Sequence, residues 1–323
     1  MIETMSPERI AEHATMLANR VRKRYRALHK QFARANIDVF RLYDWDIPEV
    51  RAVVDWYAGH LVVAEYTRQQ TGPDWLPTVA KAAAKALGIP DEKLFLKERR
   101  TGVSDGPRYQ RFGHADTRFV VNEGDLQFWV NLSDRIDTGL FSDHRNTRQL
   151  MRSLAAGKEF LNLYAYTGAF TCAVALGEAA RTVTVDRSAT YCAWTVENLK
   201  LNGLYGPQHE VVQMDSIRFL EAAARQKQSW DLVFVDPPSF SKDRGPGPGF
   251  DILQDHPQLL AKVLAVTKPG GTVIFSTNHQ RFEPRFDGLP IDDLSELTPD
   301  SIPLDYRNKG VHRCWRMVHK SQT

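Results

Sequence analysis

The chain has 323 residues, enough for two domains or for one domain with a large appendage. Hydrophobic residues make up 42% and charged residues 25%, the composition of an ordinary globular protein with a normal core. No apolar run approaches the length of a membrane span and no hydrophobic signal stretch opens the chain, so a membrane-spanning or exported class is excluded and a cytoplasmic protein is expected. The net charge of +3 says little by itself. Cys172, Cys192 and Cys314 are widely spaced, match no metal-ligand pattern and leave an odd thiol, as in a reducing compartment. No metal site is expected.

Asn19 to Arg34 reads NRVRKRYRALHKQFAR, with seven Lys or Arg and no acid. Val21, Tyr25, Leu28 and Phe32 recur at helical spacing, so residues 1–36 form a basic helical segment with one packed face. Arg20, Arg22, Lys23, Arg24 and Arg26 are the candidate RNA contacts, against the plainer reading of a solvated helix face. Residues 37–133 then give strands over DVFRLYD and AVVDWYAGHLVVAEYT with a turn at Ala58-Gly59. A helix follows from Pro77 to Leu87, ended by Gly88, and then the strands KLFLKERR, RFVVNEG and LQFWVNL. This is a small α+β domain, whose Trp45, Trp56 and Tyr57 either stack on RNA or belong to its core.

From Phe160 the order alternates strictly. Strands EFLNLYAY, TVTVD, HEVVQMD, WDLVFVD and GTVIFST are separated by helices, with the turn Lys268-Pro269-Gly270-Gly271 before the last. His312 to His319 follows a long irregular stretch and closes the sheet as an added strand. The fold class over 134–323 is therefore α/β, a doubly wound parallel sheet.

The strand ends carry the chemistry. WDLVFVD stops at Asp236 because Pro237 and Pro238 cannot donate ladder hydrogen bonds. The turn offers one carboxylate, carbonyls without adjacent N–H groups, and the ring of Phe240: a grip for a flat, hydrogen-bond-donating ring at the edge where open α/β sheets bind ligands. The first strand–helix turn, Tyr164-Ala165-Tyr166-Thr167-Gly168, holds one glycine rather than the three of a dinucleotide site, and no Walker lysine follows. A nicotinamide-dependent oxidoreductase is thereby disfavoured, while one glycine still lets backbone approach a ligand. Asp186 and Asp215 end the second and third strands, as ligand acceptors or as helix caps.

Gly168 in YAYTGAF, Asp186 in TVTVD, Asp215 in VVQMD, and DPPSF together resemble the class I S-adenosylmethionine-dependent methyltransferases, with their Rossmann-like sheet. Within that class NRVRKRYR, FRLYDWDIPE, TGLFSDHRNTR, NLYAYTGAF, TVDRSATYCAWTVENLKLNG, DPPSFS and VHRCW are similar, in order, to the RlmK-type 23S rRNA guanine-N7 methyltransferases. The resemblance implies S-adenosylmethionine as cofactor. Phe141, Asp143 and Arg145 would cover it and contact its methionine end, and Tyr164, Tyr166, Thr167 and Gly168 would pass beneath. Asp186 would hold the ribose with Arg187 beside it, and Asp215, next to Ser216, would accept from the adenine amino group. Asp236, Pro237, Pro238 and Phe240 would face the methyl and the base, with His312 on the target side. It also implies 23S rRNA or a large-subunit precursor as substrate, and a separate guanine-N2 methyltransferase as a candidate partner.

The position after the fifth strand, Phe275-Ser276-Thr277-Asn278, has no thiol, so methylation of cytosine C5, which needs a cysteine nucleophile, is disfavoured. Guanine N7 needs neither a base nor a covalent intermediate; placement and water exclusion suffice. The same motif suits exocyclic amines, which keeps guanine-N2 or adenine-N6 RNA methylation as the alternative. An RNA-binding assembly factor without turnover is the alternative from another class. Lys242 to Gly249, rich in Gly and Pro, is either a lid that orders on RNA or a disordered surface loop.

Overall fold

A computed structural model of the chain describes residues 5–67, 72–100, 118–134, 137–241, 249–306 and 309–321. It divides into two compact units: Met1–Thr138 with Leu304–Lys309, and Gly139–Pro303 with Gly310–Thr323.

The first unit opens with helix α1 (Pro7–Arg34), capped by the Ser6 side chain and started by proline, which needs no intrahelical N–H partner there. Ile10, Ala14, Leu17, Val21, Leu28 and Phe32 form its buried stripe, so the basic run belongs to a longer helix packed into this unit's core. Strands β1 (Val39–Asp44), β2 (Ala52–Tyr57) and β3 (His60–Thr67) run antiparallel, with Ala58 and Gly59 both at positive φ in the expected turn. Helix α2 (Trp75–Leu87) packs on α1, ends at left-handed Gly88, and leads into β4 (Leu94–Arg100), parallel to β3. Strands β5 (Arg118–Glu123) and β6 (Leu126–Asn131) make a separate hairpin. Of the three aromatics singled out, Tyr57 is buried, Trp56 packs on the core, and Trp45 is exposed beneath the Arg51 guanidinium.

Leu304–Lys309 belongs to this unit because Arg41 and Asp46 hold it. The Asp305 carboxylate accepts from Arg41 N at 2.9 Å, the Arg41 guanidinium lies over the Tyr306 ring, and Lys309 pairs with Asp46 at 3.0 Å. The same guanidinium grips Asp55 through two nitrogens at 2.9 and 3.1 Å and Asp44 at 2.7 Å.

The second unit opens with α3 (Arg145–Ser153) and then alternates: β7 (Glu159–Leu163), α4 (Ala169–Leu176), β8 (Arg181–Asp186), α5 (Ala189–Leu201), β9 (His209–Gln213), α6 (Ser216–Arg225) and β10 (Trp230–Val235). A two-residue pair, β11 (Phe240–Ser241) with β12 (Phe250–Asp251), precedes α7 (Ile252–Ala265) and β13 (Thr267–Thr277). Strand β14 (Ile291–Glu296), helix α8 (Thr298–Ser301) and β15 (Arg313–His319) complete it. The sheet order is β14-β15-β13-β10-β7-β8-β9, parallel except for β15, which runs antiparallel between β13 and β14. The doubly wound sheet and the strand over 313–319 are as the sequence indicated, but that strand does not close the sheet: it lies between β13 and β14, and β14 forms the edge. The Lys242–Gly249 loop lies outside the described residues except for Gly249.

Two local differences and one helix-internal proline have physical explanations. Lys268–Gly271 is not a turn ahead of β13 but an irregularity inside it: Pro269 lacks a ladder N–H, Gly270 sits at φ +73°, and the register slips between the Trp230 and Leu232 pairings. Strand β14, IDDLSE, is a largely exposed edge with no apolar alternation to reveal it. Pro257 inside α7 removes the helical bond to the Leu253 carbonyl, and Arg285 Nη2 donates to that oxygen instead at 2.7 Å.

Candidate functional site

The parallel strands end at or just before the residues singled out in the sequence, which therefore gather along one edge of the sheet. β7 ends at Leu163, and Tyr164 and Tyr166 then adopt positive φ (54° and 52°), a conformation costing L-residues ~1–2 kcal/mol each. Such strain persists only where surroundings over-determine it. Here Tyr164 N donates to Ser216 Oγ at 3.3 Å, Tyr166 N donates to Asp186 Oδ2 at 2.9 Å, and Asn198 Nδ2 donates to the Thr167 carbonyl at 2.9 Å. Each anchor sits on a different element, so the loop is fixed by the start of α6, the end of β8 and the middle of α5.

Asp186 accepts from Tyr166 N and from Ser188 N, the latter at 2.8 Å, and Ser188 rather than Asp186 caps α5. Each carboxylate oxygen retains a second lone pair for a ligand hydroxyl. Burial pushes the Asp186 carboxyl upward, opposed by those two backbone donors and by Arg187, which is exposed beside it. Asp215 is a helix cap: Oδ1 takes Ile217 N at 3.0 Å and Arg218 N at 3.1 Å at the start of α6. Ser216, 3% exposed, supports Tyr164 rather than facing solvent.

Gly168 has a packing task that the sequence did not reveal. Its φ of +74° requires glycine, and a Cβ there would lie 2.8 Å from Thr195 Oγ1 and 2.9 Å from Thr195 Cβ on α5. The close approach the structure shows at Gly168 is between this turn and α5. Thr167, 1% exposed, donates its hydroxyl to the Gly139 carbonyl at 2.7 Å and so tethers the segment before α3 across this loop. That segment presents Phe141, 45% exposed, with its ring 5.0 Å from Tyr166 and its carbonyl held by Arg148 Nη1. Arg145 is buried at 3% exposure, inside the unit rather than at its surface.

β10 delivers Asp236, half-buried, then buried Pro237, half-buried Pro238 and exposed Phe240. Ser239 Oγ donates to Asn278 Oδ1 at 2.8 Å, tying this turn to the end of β13. His312, nominated for the target side, is 2% exposed and offers RNA no surface. Its Nδ1 meets Asp143 Oδ2 at 3.2 Å and its Nε2 meets Ser301 Oγ at 2.9 Å. Asp143 thus faces this buried histidine.

Two residues beyond the sequence reading complete the edge. Met214 is exposed at the end of β9, an apolar surface beside Asp215. His144 stacks on His312 with ring centroids 4.3 Å apart and planes 11° from parallel, and its Nε2 lies 3.5 Å from Asp236 Oδ2. Asp143, His144 and His312 bring ligand atoms within 4.8 Å of one another. Ring nitrogens bind cations in the ring plane, however, and two parallel stacked planes do not converge on one ion.

Among the nominated basic residues, Arg22, Lys23 and Arg26 are exposed on α1. Arg20 is engaged with Asp46 at 2.8 Å, and Arg24 donates to the Asp305 carbonyl at 3.3 Å.

The edge fits S-adenosylmethionine by its donor set. It combines a rigid backbone turn, a carboxylate with spare lone pairs on the second strand, exposed apolar side chains in Phe141 and Met214, and a second carboxylate in Asp236. Among the described residues no helix is long and apolar enough to cross a membrane.

Residues 46–292 match the S-adenosylmethionine-dependent methyltransferase family. The chain is 40% identical over 318 residues to the ribosomal RNA large subunit methyltransferase K/L of Aeromonas hydrophila, covering 95% of this chain and 44% of that protein. It is 39% identical over 324 residues to the protein of the same name from Allochromatium vinosum, covering 98% and 44%. The chain therefore spans less than half the length of these curated relatives. Among solved structures, the methyltransferase SMU.776 in complex with SAH superposes with a TM-score of 0.75 at 23% identity, over 95% of this chain and 81% of that one. A methyltransferase from Streptococcus mutans gives 0.73 at 22% identity, over 94% and 81%. With its fold, its strand-end residues and the match across most of its length in agreement, the chain belongs to the S-adenosylmethionine-dependent methyltransferase family, and S-adenosylmethionine is its cofactor.

Proposed function

We propose that the chain methylates N7 of a guanine in 23S rRNA or a large-subunit precursor. The observation that carries the proposal is the likeness along 95% of the chain to relatives named for large-subunit ribosomal RNA, joined to a strand end that presents Asp236-Pro237-Pro238 and an exposed Phe240. Bound S-adenosylmethionine supplies an activated methyl on a sulfonium. Phe141, Tyr166, Asp186 and Met214 would hold it, with Asp215 at the adenine end through whatever its capping role leaves available.

The remaining work belongs to the base side. N7 carries an available lone pair, so no group has to remove a proton from it, and catalysis reduces to placement and exclusion of water. Asp236 can accept from the guanine N1–H and N2–H₂ edge, and Phe240 can stack on the ring. A carboxylate nearby also favours the positive charge that develops on the purine. Among the described residues no thiol at this edge is placed for covalent catalysis: β13 ends in Ser276 and Thr277 with Asn278 following, and the Cys314 thiol is fully buried and pushed upward by that burial and by Asp236. Paired RNA hides N7 in a deep groove, so the substrate guanine must be unpaired or flipped. Exposed Arg22, Lys23 and Arg26 on α1 are proposed phosphate contacts.

The test uses labelled S-adenosylmethionine, unmodified 23S rRNA, digestion to nucleosides and mass spectrometry. Labelled 7-methylguanosine that disappears in Asp236→Asn, with cofactor binding retained, supports the reading. Label on guanine N2 or adenine N6 keeps the family and replaces the target atom. Cofactor binding without label on rRNA, a precursor particle, or rRNA supplied with a guanine-N2 methyltransferase removes the proposed substrate.

A further inference from the structure

We propose that His144 is a positioning residue for Asp236: it holds one oxygen of that carboxylate so that the other is presented to the base. The inference deepens the reading above and rests on Asp236 as the base-facing group.

The His144 ring is fixed on several sides. Its side chain is 6% exposed, His312 stacks on one face, and the ring meets Phe170 and Phe234 edge-on at 5.7 and 6.1 Å, with planes at 65° and 80°. In that orientation Nε2 lies 3.5 Å from Asp236 Oδ2 and 3.8 Å from Asp143 Oδ2. Asp236, by contrast, is 30% exposed through its side chain, enough for one oxygen to reach a ligand. His144 Nδ1 is buried with no partner among the described residues, so within them the polar hold on this ring comes from its Nε2 side.

The two stacked imidazoles face different charges. Around His144 are Asp143, Asp236, His312 and Arg148. Burial and Arg148 disfavour its protonation, but the two carboxylates outweigh them and hold the proton on more tightly than in an ordinary histidine. His312 is pushed the other way, by burial first and then by the charge of His144, against the pull of Asp143 and Asp236. Two adjacent cations are thereby disfavoured: the pair holds a proton preferentially on His144, and His312 is anchored between Asp143 and Ser301. An imidazolium at Asp236 Oδ2 limits the rotation of that carboxylate. A carboxylate free to rotate would have to be ordered on each turnover.

Two measurements on the full chain test this. The first is kcat and KM against pH with S-adenosylmethionine and unmodified 23S rRNA, for the parent and His144→Gln. The parent's kcat should fall as pH rises through the raised His144 value. His144→Gln should lower the plateau kcat by about 10- to 100-fold, lose that alkaline decline, and leave KM for S-adenosylmethionine within about twofold. A kcat within threefold of the parent, or a decline that persists in the variant, overturns the proposal. The second measurement is NMR titration of the imidazole carbons without RNA. His144 should titrate above an ordinary histidine and move down in Asp236→Asn. An unchanged midpoint overturns the pairing even if His144→Gln fails to fold. If the parent binds cofactor but methylates no RNA, the functional reading fails, and the NMR midpoint still decides the His144–Asp236 pairing.

Discussion

Gly168→Ala separates two explanations of the glycine in the first strand–helix turn. If glycine is there so that backbone can approach the cofactor, alanine costs cofactor affinity and leaves stability alone. The contacts around Gly168 predict a loss of stability instead. The added Cβ points at Thr195, 2.8 Å from Oγ1 and 2.9 Å from Cβ, and the backbone must remain at φ +74°. Thr195 has nowhere to go: it is fully buried, and its hydroxyl donates to the Tyr191 carbonyl at 3.0 Å and the Tyr166 carbonyl at 3.3 Å. Left-handed backbone costs alanine ~1–2 kcal/mol. Overpacking against an immobile neighbour adds ~1–3 kcal/mol.

The expected loss is thus about 3 kcal/mol in the second unit, a fall in Tm of roughly 6–12 °C for a unit of this size. The assay is thermal unfolding alongside titration calorimetry with S-adenosylmethionine below the transition. Thr195→Ala on the Gly168→Ala background removes two of the three crowded atoms, so the pair should be less destabilised than the sum of the single changes by at least about 1 kcal/mol. A Gly168→Ala protein with Tm within 2 °C of the parent and weakened cofactor binding would refute the helix-packing explanation and restore the ligand-approach one.

Other outcomes follow from the same geometry. Arg41→Ala strands the partly buried Asp44 and Asp55 and should destabilise the first unit by ~3–5 kcal/mol in guanidinium unfolding, with Arg41→Met losing less. Phe141→Ala should weaken S-adenosylmethionine binding about tenfold, ~1.4 kcal/mol, with Tm unchanged, because the ring is exposed and packs only at its edge of the unit. His256 is fully buried, its Nδ1 facing the Ile252 carbonyl and its Nε2 accepting from Arg285 N, and burial lowers its affinity for a proton. A depressed folded value means the stabilisation is complete above the ordinary histidine range and is lost as pH falls through the folded value, at up to ~1.4 kcal/mol per pH unit for one proton. Unfolding free energies measured between pH 7.5 and 5 should therefore decline less steeply in His256→Gln than in the parent; equal slopes would contradict the assignment.

The parallel sheet was legible because β7, β8, β10 and β13 are runs rich in β-branched and apolar residues, buried on both faces and punctuated by helices and turn residues. β14 was not, since an exposed edge strand has no buried face to impose a pattern. The start of α1 was readable in principle: Ser6-Pro7-Glu8 is a cap, a first-turn proline and an acid, and Ile10, Ala14 and Leu17 extend the apolar stripe that the basic run continues. The charge run marks only the later part of that helix. In the site, residue type was legible and task was not. A glycine, a threonine and a serine beside a ligand-binding edge look alike whether they touch ligand or brace the loop that does. The bracing contacts to Thr195, Gly139 and Tyr164 emerge only from the fold.

His144 and His312 show where local reading ends altogether. Asp143 and His312 are 169 residues apart, and no spacing rule joins them. They meet because β15 is inserted antiparallel, with Arg313 beside Thr277 at the end of β13. An antiparallel strand begins where its parallel neighbours finish, so the residue just before β15 arrives at the edge that carries Asp236. Were β15 parallel, its seven residues would carry His312 to the opposite edge, ~20 Å away at ~3.3 Å per residue. The reversal of one strand is therefore what brings the histidine pair to the carboxylate, and a sequence exposes that reversal only once the whole sheet order is known.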